Sequence, residues 1–178
     1  MRRVLIGIVI ILIVAIGLGF VLPDRVEVER EVVIDAPPAQ VYALIADFNQ
    51  WERWSPWAER DPEAQYTITG EGVGHRMEWV SDDPQLGNGS QEITALTPDS
   101  RVESALSFGD MGQGRATFEL SPEGTGTRVV WSFATNMRDG TATMMQPVAT
   151  YLGFFMDGML GGDYETGLAN LKTTAEAS

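Results

Sequence analysis

The chain has 178 residues, of which 44% are hydrophobic and 21% charged, so it carries enough apolar side chains to form a folded core. Its 12 Lys and Arg against 25 Asp and Glu give a net charge of −13 at pH 7, which argues against a nucleic-acid partner. The absence of cysteine excludes disulfides and thiolate chemistry, and a single histidine disfavours a metal site, so no metal or other cofactor is expected.

The N-terminus contains an uncharged apolar run from Val4 to Leu22. At about nineteen residues it is long enough to cross a bilayer as one helix. A cleaved signal peptide is the competing interpretation, with Ala15 and Gly17 as small residues before the cut. The run continues past them to Leu22, which favours an uncleaved transmembrane anchor over residues 1–24. A buried core helix is disfavoured because the run is not amphipathic.

The charges on either side of this run predict its orientation. Arg2 and Arg3 precede it, whereas acidic residues follow it closely (Asp24, Glu27, Glu29 and Glu31). Basic residues usually stay on the cytoplasmic side of a span. The domain from 25 to 178 is therefore expected outside the cytoplasm, attached to the cell membrane by a single pass.

The domain begins with a strand and a short helix. Residues 26–34 alternate between valine or isoleucine and glutamate, which predicts a half-buried strand. Arg30 interrupts its apolar face and is interpreted as a strand-edge or rim residue. Pro38 then suits the first position of a helix whose apolar residues recur every three or four positions (Val41, Leu44, Ile45 and Phe48).

Residues 65–135 predict six further strands in one antiparallel meander. The candidate strands are 66–70, 75–80, 90–96, 101–108, 114–120 and 127–133, with turn-rich segments between them. Alternate positions define a predicted inner face. It consists of Met77, Trp79, Ile93, Ala95, Leu106, Phe108, Phe118, Leu120, Val129, Trp131 and Phe133.

A mostly helical segment from 147 to 175 closes the chain. The order of elements predicts an α+β domain in which a curved antiparallel sheet buries one face against this last helix. A twisted sheet and a straight helix diverge at their ends, so a gap between them is expected. Such gaps are where small-molecule pockets form.

Four stretches resemble a known family. They are VVIDAPPAQVYALIADFNQWERWSPW at 32–57, MEWVSDDPQLGNGSQEI at 77–93, GTGTRVVWSF at 124–133 and MDGMLGGDYETGLANLK at 156–172. The pattern resembles the SRPBCC superfamily, which includes START lipid-transfer domains and birch-pollen-type allergens. It is most similar to the bacterial polyketide cyclase/dehydrase and lipid-transport group. The resemblance implies a helix-grip fold of about seven strands around a long C-terminal helix, with a hollow interior.

The segment after the first helix concentrates aromatic rings. Trp51, Trp54 and Trp57 follow one another at intervals of three. Either they close the end of the core, or one or two of them form a lid that contacts ligand or the membrane interface, where tryptophan is favoured. The sequence leaves both interpretations open, with Trp54 or Trp57 expected near the pocket mouth.

The C-terminal segment is rich in methionine, aromatic residues and glycine. Tyr151, Phe155 and Met159 are interpreted either as core or as one wall of the pocket. Glycine weakens a helix, so Gly161-Gly162 needs a reason. The two candidate reasons are a kink or break at this pair, and a close approach of the backbone to the sheet or ligand.

These observations predict a membrane-anchored domain that binds a hydrophobic small molecule or lipid and has no built-in catalytic set. The predicted ligand-binding residues are Trp54, Trp57, Met77, Trp79, Phe108, Phe118, Trp131, Phe133, Tyr151, Phe155 and Met159. One alternative is a cyclase-like or hydrolase-like enzyme in which His75, Tyr66 or Tyr151 gives acid–base assistance. His75 shares the parity of Met77 but lies beside a turn, and is expected at the rim. A second alternative is an envelope protein-interaction module with a filled core.

Overall fold

Seven antiparallel strands form the body of the domain. The computed structural model describes residues 2–84, 86–109 and 112–178. The strands are β1 (Arg25–Ile34), β2 (Gln65–Thr69), β3 (Arg76–Val80), β4 (Gly89–Thr97), β5 (Arg101–Ser107), β6 (Gln113–Glu123) and β7 (Gly126–Asn136). They form one sheet in the order β1-β7-β6-β5-β4-β3-β2. The predicted meander of six strands is confirmed, and β1 joins it beside β7.

The helices cover one face and one end of this sheet. They are α1 (Arg2–Val21), α2 (Pro38–Ile45), a 3-10 helix (Phe48–Arg53), α3 (Pro56–Arg60), a second 3-10 helix (Thr143–Met145), α4 (Gln146–Gly153) and α5 (Met156–Glu176). Buried side chains of α5 enter the same core as those of the sheet and α2 (Tyr164, Leu168, Leu171 and Ala175). The predicted α+β architecture, a curved sheet with a long C-terminal helix, is confirmed.

Helix α2 forms where the sequence predicts it. Pro38 occupies a position in its first turn, where a missing N–H costs nothing. The apolar residues spaced at three and four positions, from Val41 to Phe48, are all buried. This apolar face closes the end of the sheet that lies away from α1.

The prediction that Ala95 lies on the inner face is wrong. Ala95 is exposed, because the register of β4 against β5 shifts between Ile93 and Ala95. A β-bulge inserts one residue and thereby reverses the alternation of side chains beyond it. Ile93, before the bulge, is fully buried as predicted.

Arg30 ties the edge strand β1 to α5. Its side chain is 27% exposed and donates to Asp157 and Glu165, both at 2.8 Å. The hydrogen bonds from Arg30 hold the pKa of Asp157 below its usual range. The charge of Arg30, on an otherwise apolar face of β1, is thus paired with two carboxylates of α5.

Of the two reasons considered for Gly161-Gly162, the structure does not show a break at this pair. Helix α5 runs unbroken from Met156 to Glu176, and the break lies earlier, between Gly153 and Met156. The alternative reason for glycine, close approach, fits Gly161 and Gly167. A Cβ on Gly161 would overlap the Arg30 guanidinium, and a Cβ on Gly167 would lie 2.8 Å from the Trp131 ring.

Helix α1 is long and apolar enough to cross a membrane, with a mean hydropathy of 3.3. A signal sequence near the N-terminus would meet the same criterion. Nearly all its side chains are exposed, and Gly19 is the one buried residue of the helix as described.

Gly167, which packs closely against the sheet, and Gly162, which faces open space, form a matched pair for mutation. Gly167→Ala should destabilise the fold by about 1–3 kcal/mol, because the new methyl group must displace Trp131 or Pro56. Gly162→Ala meets open space and should stabilise the helix by up to about 1 kcal/mol. Urea unfolding measures both. Equal effects of the two substitutions would contradict the close approach of α5 to the sheet at Gly167.

Candidate functional site

A cavity of about 900 Å³ lies between the sheet and the N-terminal half of α5. This volume is within the range of small-molecule sites. Strand residues form one wall, and Leu160 and Tyr164 of α5 form part of the other. The apolar lining residues contributed by the strands are Ile68, Met77, Trp79, Leu106, Phe108 and Phe133.

An aromatic cluster closes the cavity on the side of α2. We call it the aromatic plug, and it consists of Trp51, Trp54, Phe118, Trp131 and Tyr164. Trp131 stacks on Tyr164 with ring centroids 3.9 Å apart and on Phe118 at 4.7 Å. Trp51 and Trp54 meet the Trp131 ring edge-on at 6.5 and 5.8 Å. These contacts hold α5 against the sheet where the cavity ends.

The three tryptophans after α2 differ in their positions: Trp54 lies wholly in the aromatic plug, whereas Trp51 and Trp57 also line the cavity. The indole N–H groups of Trp51 and Trp54 donate to the carbonyl oxygens of Ile45 and Leu44, at 2.9 and 3.1 Å. Both side chains are almost fully buried. Trp57 is half-buried and lines the cavity, although its ring also meets Trp131 edge-on at 5.7 Å.

The structure brings together six of the predicted ligand-binding residues in the cavity wall, namely Trp57, Met77, Trp79, Phe108, Phe133 and Met159. The other five lie elsewhere. Trp54, Phe118 and Trp131 belong to the aromatic plug, because α5 and the 3-10 helix cover them completely. Tyr151 packs against α1, and Phe155 is 66% exposed on the outside of the domain. Tyr151 lies in α4, and Phe155 lies in the break between α4 and α5, so neither belongs to the part of α5 that lines the cavity.

Several lining residues were not among the predicted site residues. Ile68 and Leu106 were detectable, since both lie on the inner side of predicted strands. Gln91 was hidden by its polarity, although it is only 4% exposed and lines the cavity. Arg60, at the end of α3, forms an ion pair with Asp163 of α5, and both residues line the cavity.

Some polar groups of the cavity wall are neutral, beside the ion-paired Arg60 and Asp163 and the carboxylates of Glu52 and Asp61. The Gln91 side-chain amide donates to Ser104 Oγ at 2.7 Å, which fixes the orientation of the amide. Burial raises the pKa of the Tyr164 hydroxyl, and neighbouring Asp163 adds to this effect. Burial, with a smaller effect of Asp61, also raises the pKa of Tyr66. These groups can therefore form hydrogen bonds to a ligand without introducing charge into an apolar space.

The prediction that His75 lies at the rim is wrong, because its side chain is only 3% exposed. The ring stacks on Phe48 at 4.9 Å, and Nε2 accepts a hydrogen bond from the Phe48 N–H at 2.9 Å. Nδ1 therefore carries the proton and donates to the Gly70 carbonyl at 2.8 Å. The inward parity noted in the sequence was the correct signal. Because both nitrogens satisfy backbone groups, His75 holds the turn after β2 against the 3-10 helix.

Carboxylates near the cavity have structural partners. Asp47 caps the 3-10 helix by accepting from the Asn49 N–H at 2.9 Å. Asp61 accepts from the Ser81 hydroxyl and from the Glu63 N–H. Within residues 2–84, 86–109 and 112–178, no group of three or more His, Asp or Glu side chains is placed to hold a metal ion.

The family described as polyketide cyclase / dehydrase and lipid transport matches residues 25–176. The match covers most of the chain, so the protein belongs to this family. It thereby confirms the resemblance to the SRPBCC superfamily. No curated protein matches the chain.

Solved structures share the fold at low sequence identity. The protein TTHA0849 from Thermus thermophilus is 23% identical, with a TM-score of 0.58 over 85% of this chain and 97% of that one. A putative uncharacterized protein from Rhizobium leguminosarum is 18% identical, with a TM-score of 0.61 over 86% and 96%. Ara h 8.0201 is 13% identical, with a TM-score of 0.58 over 86% and 99%. These similarities confirm the helix-grip fold.

Replacement of His75 separates a structural role from a chemical one. His75→Phe keeps the stacking on Phe48 but leaves a buried N–H and a carbonyl without partners, which should cost about 1–3 kcal/mol of unfolding free energy. Urea unfolding measures this loss, and Tyr66→Phe at a 39% exposed position is the control. The affinity of the His75→Phe variant for a ligand in the cavity should not change. A variant of unchanged stability would contradict the structural role.

Proposed function

We propose that this protein is a membrane-anchored domain that binds a hydrophobic small molecule or lipid between the sheet and α5. The main support is the cavity of about 900 Å³, walled by aromatic, methionine and leucine side chains. A filled core would leave no such space, because protein interiors are close-packed. The family's description includes lipid transport, which agrees with an apolar ligand.

The polar residues of the cavity wall also indicate which kind of polar group a ligand would carry. Gln91 and Tyr66 offer neutral hydrogen-bonding groups, whereas Arg60 and Asp163 neutralise one another in an ion pair. A buried charge without a partner would be strongly unfavourable. The cavity therefore suits a largely apolar molecule with an uncharged polar group, such as a hydroxyl or an ester.

We assign α1 as an uncleaved anchor, with the domain on the extracytoplasmic side. Its exposed apolar side chains suit contact with lipid, and Arg2 and Arg3 precede the span. The Arg138 guanidinium donates to the carbonyl oxygens of Gly19 and Leu22, at 3.0 and 2.7 Å. These bonds satisfy carbonyls at the C-terminal end of α1 and join it to the domain.

An enzyme that uses the same pocket is the second candidate. Tyr66 is the one proposed acid–base residue in the cavity wall, since His75 is bonded to backbone groups and Tyr151 donates to Ala15 of α1. The raised pKa of Tyr66 keeps its hydroxyl protonated, which disfavours a role as a base. This arrangement favours binding over catalysis.

An interaction module with a filled core is the third candidate. Large exposed apolar residues do occur on α4 and at the start of α5. They are not separate from the cavity, because Met159 belongs both to the exposed group and to the cavity wall. This continuity favours a surface connected with ligand binding over an independent protein-docking site.

Ligand binding can be tested with a substitution that fills the cavity. In a chain beginning at Arg25, a fatty acid or a polycyclic aromatic at about 100 times its Kd should stabilise the fold by about 2.7 kcal/mol. Leu106→Trp places a large ring in the cavity and should weaken binding at least tenfold, about 1.4 kcal/mol. The matched control is Ala105→Trp, at an exposed position of the same strand. Thermal unfolding with each compound gives both results.

Two outcomes would contradict the proposal. One is that no apolar compound in a broad panel shifts the melting temperature of the unsubstituted chain. The other is that Leu106→Trp and Ala105→Trp bind equally well, which would place the ligand outside the cavity.

The anchor predicts the behaviour of the full chain in membranes. The intact protein should remain in the membrane pellet after carbonate washing and should retain Met1 to Ser178 by mass. Protease added to spheroplasts should digest the domain if it lies outside the cytoplasm. A mature chain beginning near residue 18 would contradict the anchor, and full protection from protease would contradict the orientation.

A further inference from the structure

An exposed apolar surface lies beside the proposed anchor. We call it the α4 surface, and it consists of Met144, Val148, Leu152, Phe154, Phe155 and Met159. Their exposed fractions range from 48% to 91%. Val148, Leu152, Phe155 and Met159 follow one another at spacings of three and four, while Pro147, Thr150 and Gly153 on the other side are buried. Large apolar groups exposed together mark an interaction surface.

The α4 surface also lacks charge. Residues 141–156 contain no Asp, Glu, Lys or Arg, in a chain of which 21% is charged. A protein-docking surface usually has a polar rim, and attraction to anionic headgroups needs basic residues. An uncharged surface of methionine, leucine and phenylalanine suits the boundary between lipid headgroups and acyl chains.

Contacts with α1 fix the depth of this surface relative to a bilayer. The Tyr151 hydroxyl donates to the Ala15 carbonyl at 2.7 Å. Pro147 packs so closely on Gly19 that a Cβ there would lie 2.6 Å from the proline Cβ. Ala15 precedes Leu22 by seven residues, so Tyr151 meets α1 about 10 Å along the helix axis inside the apolar run. Helix α4 therefore lies beside the last turns of α1, at the depth that the lipid interface would have around a spanning α1.

We propose that the α4 surface is embedded in the outer part of the same bilayer that α1 spans. This inference rests on the proposed membrane anchor. Burial of apolar side chains drives the contact, so it requires neither anionic lipid nor low salt. The occupant of the surface is thus the acyl region of the neighbouring leaflet.

The register of the sheet places the cavity near this contact. Arg25 of β1 pairs with Asn136 of β7, so this end of the sheet adjoins α1. Phe133 lies three residues from that end, about 10 Å along the strand. Ser107, next to Phe108 of the cavity wall, pairs with Gln113 at the same end. Met159 belongs to both the α4 surface and the cavity wall, so the two adjoin one another.

Single cysteine substitutions can test the contact without background, since the chain has no natural cysteine. The full chain is reconstituted in phosphatidylcholine vesicles, labelled with an environment-sensitive dye and quenched by lipids that carry a nitroxide in the acyl chain. Leu152→Cys and Phe155→Cys report on the α4 surface. Ile10→Cys on α1 is the positive control, and Val73→Cys, 65% exposed in the turn between β2 and β3, is the control in water.

The dyes at 152 and 155 should lose roughly half of their emission, as expected for groups in the interfacial region, and high salt should not restore it. The dye at 73 should be unaffected. If the dye at 10 is quenched and those at 152 and 155 are not, the inference is wrong while the anchor stands. If the dye at 10 is not quenched, the anchor itself fails and the inference fails with it. Energy transfer between donor- and acceptor-labelled Phe155→Cys chains, without lipid quenching, would assign the surface to a second copy.

Discussion

The stacking of Trp131 on Tyr164 is the contact on which the rest of the domain depends. The centroids of the two rings are 3.9 Å apart, and Phe118 continues the stack on the other side of Trp131. This stack brings α5 so close to the sheet that a Cβ at residue 167 would lie 2.8 Å from the Trp131 ring. It even leaves the Trp131 Nε1 buried without a hydrogen-bond partner in the described chain, which costs about 1–3 kcal/mol. Beyond the stack the twisted sheet and the straight helix separate, and the space between them is the cavity.

The two ends of α5 therefore have different roles. Its C-terminal half completes the core with Leu168, Leu171 and Ala175, all nearly inaccessible to solvent. Its N-terminal half is held at the surface by the ion pairs of Arg30 and Asp163, and it faces the cavity and the α4 surface. Surface ion pairs contribute little to stability compared with aromatic burial. The first two turns of α5, before the Tyr164 stack, are thus held mainly by ion pairs, which suits the entry and exit of a ligand.

Much of the fold follows from the sequence because it depends on local periodicity. The alternation in β1 and the strand pattern from 65 to 135 predicted the sheet, and the order of the elements predicted the covering helix, which the resemblance also implied. The same reasoning could not predict which residues of the inner face reach the cavity and which are buried in the core. Phe118 and Trp131 share their parity with Phe133, yet only Phe133 reaches the cavity, since the line along which α5 crosses the sheet is a long-range property. Ala95 was predicted on the wrong face because no glycine in the sequence indicates the β-bulge. Phe155 was predicted in the cavity wall because no proline indicates the helix break. His75 was misplaced because its burial depends on the distant Phe48 N–H.

Native mass spectrometry of the full chain, purified without denaturation from the cells that make it, tests the central claim most directly. The unsubstituted protein should carry an apolar molecule of defined mass that is released at high collision energy, and Leu106→Trp should carry much less of it while Ala105→Trp carries as much. Release of the same molecule from all three proteins would place it outside the cavity. Detection of only the bare chain mass for all three would contradict the account of a cavity that holds a hydrophobic ligand.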